Sequence, residues 1–355
     1  MFIFERRESV PLRLKIMIPI ISIIIGLIIG AIAILFLNVD PLQVYKAILI
    51  GSFGSRYAFT ETLVFATPLI LLTSGLILVY RMGFWNIGAY GQYIMGAVFS
   101  SYFAIFGSPD LPKFSMLFIM ICAALLGGAF WAFIPAFLKA LWDVNEVITT
   151  LLLNYIALSI LRYFMYGPWR DPTGLGFPLS KQFPLNAQLP RIIPNSRVNL
   201  GLIFGIIAAV IIWFIINKTK FGYELRIIGG NPRAARYAGI NVASKIIIAM
   251  LISGALAGLA GMVQVSGVLR VLQIEISPEY GYTALITSWL SYLNPLIGIF
   301  VSILFGAFTA GGYLIQITMN VPYGIIPLIE SVILFMLIGG EIFKYYKISY
   351  LKRSF

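Results

Sequence analysis

The sequence predicts an all-α integral membrane protein of about ten transmembrane helices, and three observations carry that prediction. Of 355 residues, 60% are hydrophobic and 11% are charged, and the mean hydropathy is +0.95, far from the mix of a soluble domain. The apolar residues gather into runs close to the ~20 residues that a helix needs to cross a bilayer. The basic residues lie between those runs and not along one polar face, so the net charge of +12 is explained by membrane topology and not by nucleic acid. Histidine is absent and Cys122 is the one cysteine. No internal disulfide and no Cys/His metal cluster can form, and the commonest titrating side chain is missing.

Residues 2–15 make a basic head with Arg6, Arg7, Arg13 and Lys15, ahead of an apolar run over 16–37. Ala31-Ile32-Ala33 imitates a signal-peptide cleavage site, but the run continues to Leu37, so an uncleaved first helix is expected. Residues 39–56, with Pro41, Gly51 and Gly54, read as a polar interlude at the outer surface. The second span covers 57–80, kinked at Pro68, and Arg81 marks its cytoplasmic end. GFWNIGAYGQ, over 83–92, opens a third span reaching Phe106, and Ser108-Pro109-Asp110 is a turn on the far side. The fourth span covers 114–138, a short inner loop 139–146, and the fifth span 147–166. Residues 167–199, rich in proline and polar residues without apolar periodicity, form the longest outer loop; 200–216 returns to the cytoplasm.

Beyond an inner loop over 218–245, the seventh span, 246–267, is studded with Gly254, Gly258 and Gly261. The eighth, 281–293, is short and broken by Asn294-Pro295; 296–317 and 324–340 complete the membrane part before Lys344, Lys347, Lys352 and Arg353 in the tail. The expected organisation is one transmembrane domain: a cytoplasmic head (1–15), six spans (16–217), the inner loop (218–245), four spans (246–342) and a cytoplasmic tail (343–355). Both termini then lie inside. That placement puts 16 of the 25 basic residues in inner segments, the bias the positive-inside rule requires.

Within the inner loop, Asn231 can act as an N-cap, Pro232 fits the first helical position and Gly239 can close the turn in the left-handed region. The helix between them, Arg233-Ala234-Ala235-Arg236-Tyr237-Ala238, is too short to stand alone in water. Small side chains flanked by two arginines suit a knob in a partner's groove, with the guanidinium groups reaching for carboxylates. The plainer alternative is a basic loop that only fixes orientation.

Glycines at 127, 128, 254, 258 and 306 lie inside spans, where small residues let helices approach closely in lipid. Glu61 and Glu330 lie within spans near their outer ends and Glu146 at an inner end, and intramembrane acids are functional candidates; the one intramembrane cation in view is Arg162, itself near an outer end. Asn86, Gln92 and Asn154 bring amides into or beside the third and fifth spans, and Thr287, Ser288 and Trp289 occupy the short eighth segment. Broken helices are where transporters place a binding site or pathway, and these side chains suit a neutral, hydrogen-bonding solute. Interhelical hydrogen bonding without any ligand is the competing account of each. A GxxxxGK[ST] loop is absent, so if ATP powers this protein, another chain binds it.

The stretches FGSRYAFTETLVFATPLILLTSGL (53–76), GFWNIGAYGQ (83–92), VNEVITTLLLNYIAL (144–158) and GYELRIIGGNPRAARYAGI (222–240) together resemble the larger permease of bacterial nucleoside uptake systems. These belong to the ABC permease family that also serves simple sugars and branched-chain amino acids. The resemblance implies a heterodimer with a second related permease, a cytoplasmic ATPase with two nucleotide-binding halves, and a lipid-anchored solute-binding protein outside, all at a bacterial-type cytoplasmic membrane. It implies that Gly230, Asn231, Pro232, Arg233, Ala234, Ala235, Arg236, Tyr237 and Gly239 couple the permease to the ATPase. This chain would hold no cofactor, ATP and Mg being on the partner, and would be no enzyme. One departure is Tyr90: the family usually reads GAEGQ where this chain has GAYGQ, which puts a charged role there in doubt. The readings to be separated are a nucleoside importer, a ribose-like sugar permease, an ion-coupled carrier using Glu61 or Glu330, and an intramembrane enzyme, for which no nucleophile and base are in view.

Overall fold

The computed structural model describes all residues except 1, 7–10, 109, 175, 277–279 and 351–355; Arg7, Pro109, Lys352 and Arg353 of the segments above lie outside the described residues. Thirteen α-helices follow one another among the described residues: α1 (Leu12–Leu35), α2 (Pro41–Phe53), α3 (Arg56–Tyr80), α4 (Ala89–Phe106), α5 (Lys113–Trp142), α6 (Glu146–Tyr166), α7 (Gly201–Lys218), α8 (Lys220–Gly230), α9 (Pro232–Tyr237), α10 (Val242–Met262), α11 (Tyr280–Leu290), α12 (Pro295–Met319) and α13 (Ile325–Tyr345). A short antiparallel ribbon, β1 (Phe2–Arg6) with β2 (Tyr346–Tyr350), joins the two ends of the chain.

Every apolar segment read as a span falls on a helix. Seven of these helices are long and apolar enough to cross a membrane, namely α1, α3, α5, α6, α7, α12, and α10 with its continuation to Leu269. The others are shorter or more polar: α11 has 11 residues, α13 is apolar over Ile325–Gly340, and α4 carries Gln92, Ser100 and Ser101 in 18 residues. Two helices arise where the sequence predicts loop. Residues 39–56 hold α2, because Pro41 pre-sets the first helical φ and the Leu42 N–H donates to Asp40 Oδ1 at 2.9 Å; Val44 and Ile48, one turn apart, are its buried stripe. The inner loop opens with α8, capped by Thr219, which accepts the Gly222 N–H at 3.2 Å.

The chain forms two compact units, residues 1–51 with 310–355, and residues 52–309. In the first, α1 lies along α13, and a Cβ at Gly26 would fall 2.3 Å from the Ile333 side chain. The second unit is built round α10, which packs on α3, α4 and α5. Glycines set that packing. A Cβ at Gly258 would lie 2.1 Å from the Ala124 carbonyl oxygen, one at Gly128 2.1 Å from the Gly254 oxygen, and one at Gly96 2.1 Å from the Gly258 Cα. Backbone therefore meets backbone, the arrangement that small residues permit in lipid. Helix α3 is sunk in the unit, with buried residues from Ala58 to Tyr80, while α6 exposes Ile148, Leu152, Tyr155, Ile156 and Tyr163.

Replacing Gly258 with Val places three carbons where the Ala124 carbonyl and Gly128 backbone already stand. The variant is expected to lose about 1–3 kcal/mol of stability, read as a fall in membrane abundance and in the thermal midpoint of the solubilised protein; a parental midpoint would show that these helices are not in backbone contact.

Candidate functional site

At one end of the second unit, α9 is closed at both termini by local chemistry. Asn231 Oδ1 accepts the N–H groups of Arg233 at 3.0 Å and Ala234 at 3.1 Å, and Pro232 takes the first helical position. At the other end the Gly239 N–H donates to Arg236 O and the Ile240 N–H to Ala235 O, both at 3.0 Å, with Gly239 at φ +79°; this is a Schellman motif. Of the residues from Gly230 to Gly239, Ala235 alone is buried, and Tyr237 is 94% exposed. Arg233 and Arg236 are exposed cations on this six-residue helix.

Beneath α9, the Lys245 Nζ on α10 meets Glu224 Oε2 on α8 at 2.6 Å and lies 5.3 Å from the centre of the Phe221 ring. The turn from α5 to α6 is held by Lys139, which bridges Asp143 at 2.7 Å and Glu146 at 3.1 Å, so Glu146 has a structural partner. The hydrogen bond from Lys139 holds the Asp143 carboxyl below its ordinary range, and Arg236 adds to that effect, which brings this turn into the electrostatic reach of α9. The Arg81 end of α3 lies at the same end: a Cβ on Gly229 would fall 2.3 Å from the Arg81 oxygen. The Arg81 guanidinium donates to Leu293 O at 3.2 and 2.9 Å, capping the turn after α11.

The amides of the third and fifth segments are brought together. Asn86 and Gln92 pair reciprocally through two bonds of 3.2 Å, and Asn86 Oδ1 also accepts the Gly88 N–H at 2.9 Å. Asn154 Oδ1 accepts the Gly91 N–H at 2.8 Å, and its Nδ2 donates to Ile87 O at 3.0 Å and to the Tyr282 hydroxyl at 3.3 Å. All three are buried. Their partners are therefore in the chain itself, and they hold the non-helical residues 83–88 against α6 and α11. Tyr90 is half-buried with its ring 5.7 Å from that of Tyr282. The residues of α11 join a second cluster. Thr287 is hydrogen-bonded to Thr73, which accepts from Ser302 at 3.3 Å, and Ser288 Oγ donates to Ala284 O at 2.6 Å. Trp289 stacks on Trp85, centroids 5.2 Å apart, and on Tyr80 at 5.8 Å; Trp85 is 42% exposed.

At the opposite end, Glu61 is clasped by Arg197 through both carboxylate oxygens, and those hydrogen bonds raise the guanidinium above its ordinary range. Arg162, the cation expected from the sequence, is not the partner; Arg197 stands 136 residues from Glu61 in a loop whose fold no periodicity reveals. Beside the pair opens a cleft of about 290 Å³ lined by Arg56, Tyr57, Thr60, Pro194, Asn195 and Ser196. Glu330 is buried in the first unit.

A bundle of apolar helices with hydrogen-bonded amides in its interior and an exposed, doubly capped basic helix at one end is the build of a membrane permease. The chain belongs to the family described as the branched-chain amino acid transport system permease component, whose model matches residues 58–339. It is 34% identical to a glucose ABC transporter permease of Haloferax volcanii, over 97% of this chain and 92% of that one. It is 33% identical to a nucleoside ABC transporter permease of Lactococcus lactis, over 84% of each chain, and 32% identical to a guanosine ABC transporter permease of Bacillus subtilis, over 90% of this chain and 91% of that one. The protein is thus a multi-pass ABC permease, a transport subunit, and in this family ATP is hydrolysed by a separate chain.

Asn154→Leu strips two backbone groups, the buried Gly91 N–H and the partly buried Ile87 C=O, of their partner. Each such group costs about 1–3 kcal/mol, so the variant is expected to lower the thermal midpoint clearly, and Asn154→Asp, which keeps the acceptor for Gly91 but sets a carboxyl oxygen against Ile87 O, to lower it at least as far; equal midpoints for parent and Leu variant would remove this amide from the frame.

Proposed function

We propose that this chain is one of two permease subunits of an ATP-driven importer and that, with a second related permease, it forms the route by which nucleosides enter. The observation that carries the reading is α9: a helix too short to persist alone is closed at both ends by side-chain and backbone hydrogen bonds and offers Arg233, Arg236 and Tyr237 outward. Such a rigid, basic knob is built to seat in a partner, here an ATPase with two nucleotide-binding halves that carries the ATP and Mg. Gly230 to Gly239 then form the coupling element. This end faces the cytoplasm together with both termini, and the far end receives a lipid-anchored solute-binding protein. The membrane is the cytoplasmic one.

Nucleosides are preferred because two relatives similar over most of the chain are named for nucleoside and guanosine transport. A simple sugar is the second reading, favoured by the glucose permease relative matched over 97% of this chain. Asn86, Gln92, Asn154, Thr287, Ser288 and Trp289 frame the route, with Tyr90, Trp85 and Trp289 offering partly exposed aromatic faces on which a ring-shaped neutral solute can slide.

In the assembled complex, Gly239→Val forces a β-branched residue into positive φ and Arg236→Glu reverses a charge at the contact. Both variants are expected to insert at parental abundance but to lose most solute-stimulated ATP hydrolysis; parental hydrolysis in both excludes α9 from the interface. Calorimetric titration of the partner binding protein with guanosine, ribose and glucose decides between the solute classes.

Glu61→Gln separates ATP drive from ion coupling. Its carboxylate is committed to Arg197, so the variant is expected to keep substantial uptake and to show any deficit as lower abundance. Abolished uptake at parental abundance, with proton movement tracking the solute in the parent, would establish the ion-coupled carrier.

A further inference from the structure

The helix that carries the glycine contacts changes register at the end away from α9. After Met262, α10 continues as seven residues of π-helix, Val263–Leu269, and stops at Arg270, which has φ +62° and donates its N–H to Val265 O at 2.7 Å. A π-helical insertion in an α-helix is rare and tends to mark functional positions. Gln264, on this segment, is 5% exposed and its Oε1 has no hydrogen-bond partner. Among the described residues it is the one buried amide oxygen within a span left in that condition; Asn86, Gln92 and Asn154 all have donors or acceptors. A carbonyl buried without a donor is unfavourable, and the arrangement makes sense if a donor arrives in another state.

The same segment is sewn to the outer loop. Ser266 Oγ donates to Ala187 O at 2.6 Å and accepts the Leu189 N–H at 3.1 Å. The Phe183 N–H donates to Arg270 O at 2.8 Å, the Ser180 N–H to Leu272 O at 2.9 Å, and the Leu272 N–H to Ser180 Oγ at 2.9 Å. No register change in 263–269 can occur without moving residues 180–189.

We propose that the π-helical segment and the outer loop strapped to it are the outer gate of this permease, and that Gln264 accepts a hydrogen bond from the entering solute, or from its water, when the gate opens. Returning one residue of the π-segment to α-register turns the helix beyond it by about 100°, enough to swing a side chain from a closed helix interface to an adjacent route. The ligand class follows from the free acceptor: a neutral molecule with an exposed O–H or N–H, as sugar hydroxyls and base amines provide. This rests on the importer reading above.

The test uses the complete complex with ATPase, second permease and binding protein. In a Cys122→Ser background, Gln264→Cys is treated with a membrane-impermeant maleimide, and its labelling rate is expected to differ severalfold between nucleotide-free and ATP-trapped complexes. Gln264→Leu, which removes the unpaired oxygen at similar volume, is expected to keep parental abundance and a thermal midpoint no lower than the parent's while uptake falls about two- to tenfold, the worth of one neutral hydrogen bond. The same labelling in every nucleotide state, parental uptake by Gln264→Leu, or a midpoint that falls together with uptake each overturns the proposal, the last by showing a packing role. Failure of the importer reading shows separately, as a parent complex without ATP-dependent uptake, and the labelling measurement then decides the gate alone.

Discussion

The contact on which the second unit depends is backbone against backbone, where α10 crosses α4 and α5. Water expels apolar surface, but lipid does not, so helices in a bilayer are held by close van der Waals contact and by hydrogen bonds between them. Gly96, Gly128, Gly254 and Gly258 let the main chains meet with no side chain between. The dispersion gain of such contact is small per atom pair and accumulates only when many pairs sit near their optimal separation, which is why single carbons matter here. Helix α3 is added to this core by the same device, since a Cβ on Gly75 would lie 3.0 Å from Ser253 O.

Polar side chains then fix what close packing leaves open. Residues 83–88 are not helical, so their amides and carbonyls need partners that a helix would have supplied. Asn86, Thr150 and Asn154 provide them, Thr150 Oγ1 accepting the Ile87 N–H at 3.2 Å. The hydroxyls of Thr73, Thr287 and Ser302 perform the equivalent task among α3, α11 and α12. The polar groups of this frame are thereby satisfied within the chain itself.

What was legible in the sequence is what local chemistry decides. The caps of α9 could be read because Asn231, Pro232 and Gly239 act within a turn of their own positions. Spans were legible because their length and apolarity are properties of one segment. Helix α2 was hidden by Pro41 and Gly51, which punctuate loops as readily as helix ends. The partner of Glu61 was hidden because pairing with Arg197 needs the outer loop folded, and 167–199 is held by long-range bonds such as Ser180 to Leu272 and not by any period. The buried amides were visible as depth in a span, but which backbone groups they satisfy depends on neighbours that sequence spacing does not bring together. Gln264 gave no signal, since α10 is apolar on all sides and has no facial period that a change to π-helical register could break.

One continuous element links the two ends of the second unit. Helix α10 with its π-helical continuation runs over Val242–Leu269, 28 residues, about 40 Å at helical rise. Its first turns are tied to α8 through Lys245 and Glu224, and α8 leads directly into α9. Its middle is locked to α4 and α5 at the glycines, where neither rotation nor tilt can occur without opening backbone contacts. Its last turns bond the outer loop through Ser266 and Arg270. A displacement of α9 that reaches α10 must therefore move the helix as a body, or else be absorbed where its hydrogen-bond register is already irregular. That place is 263–269, so the packing that makes the middle of the helix stiff leaves the end away from α9 as the part whose register can give.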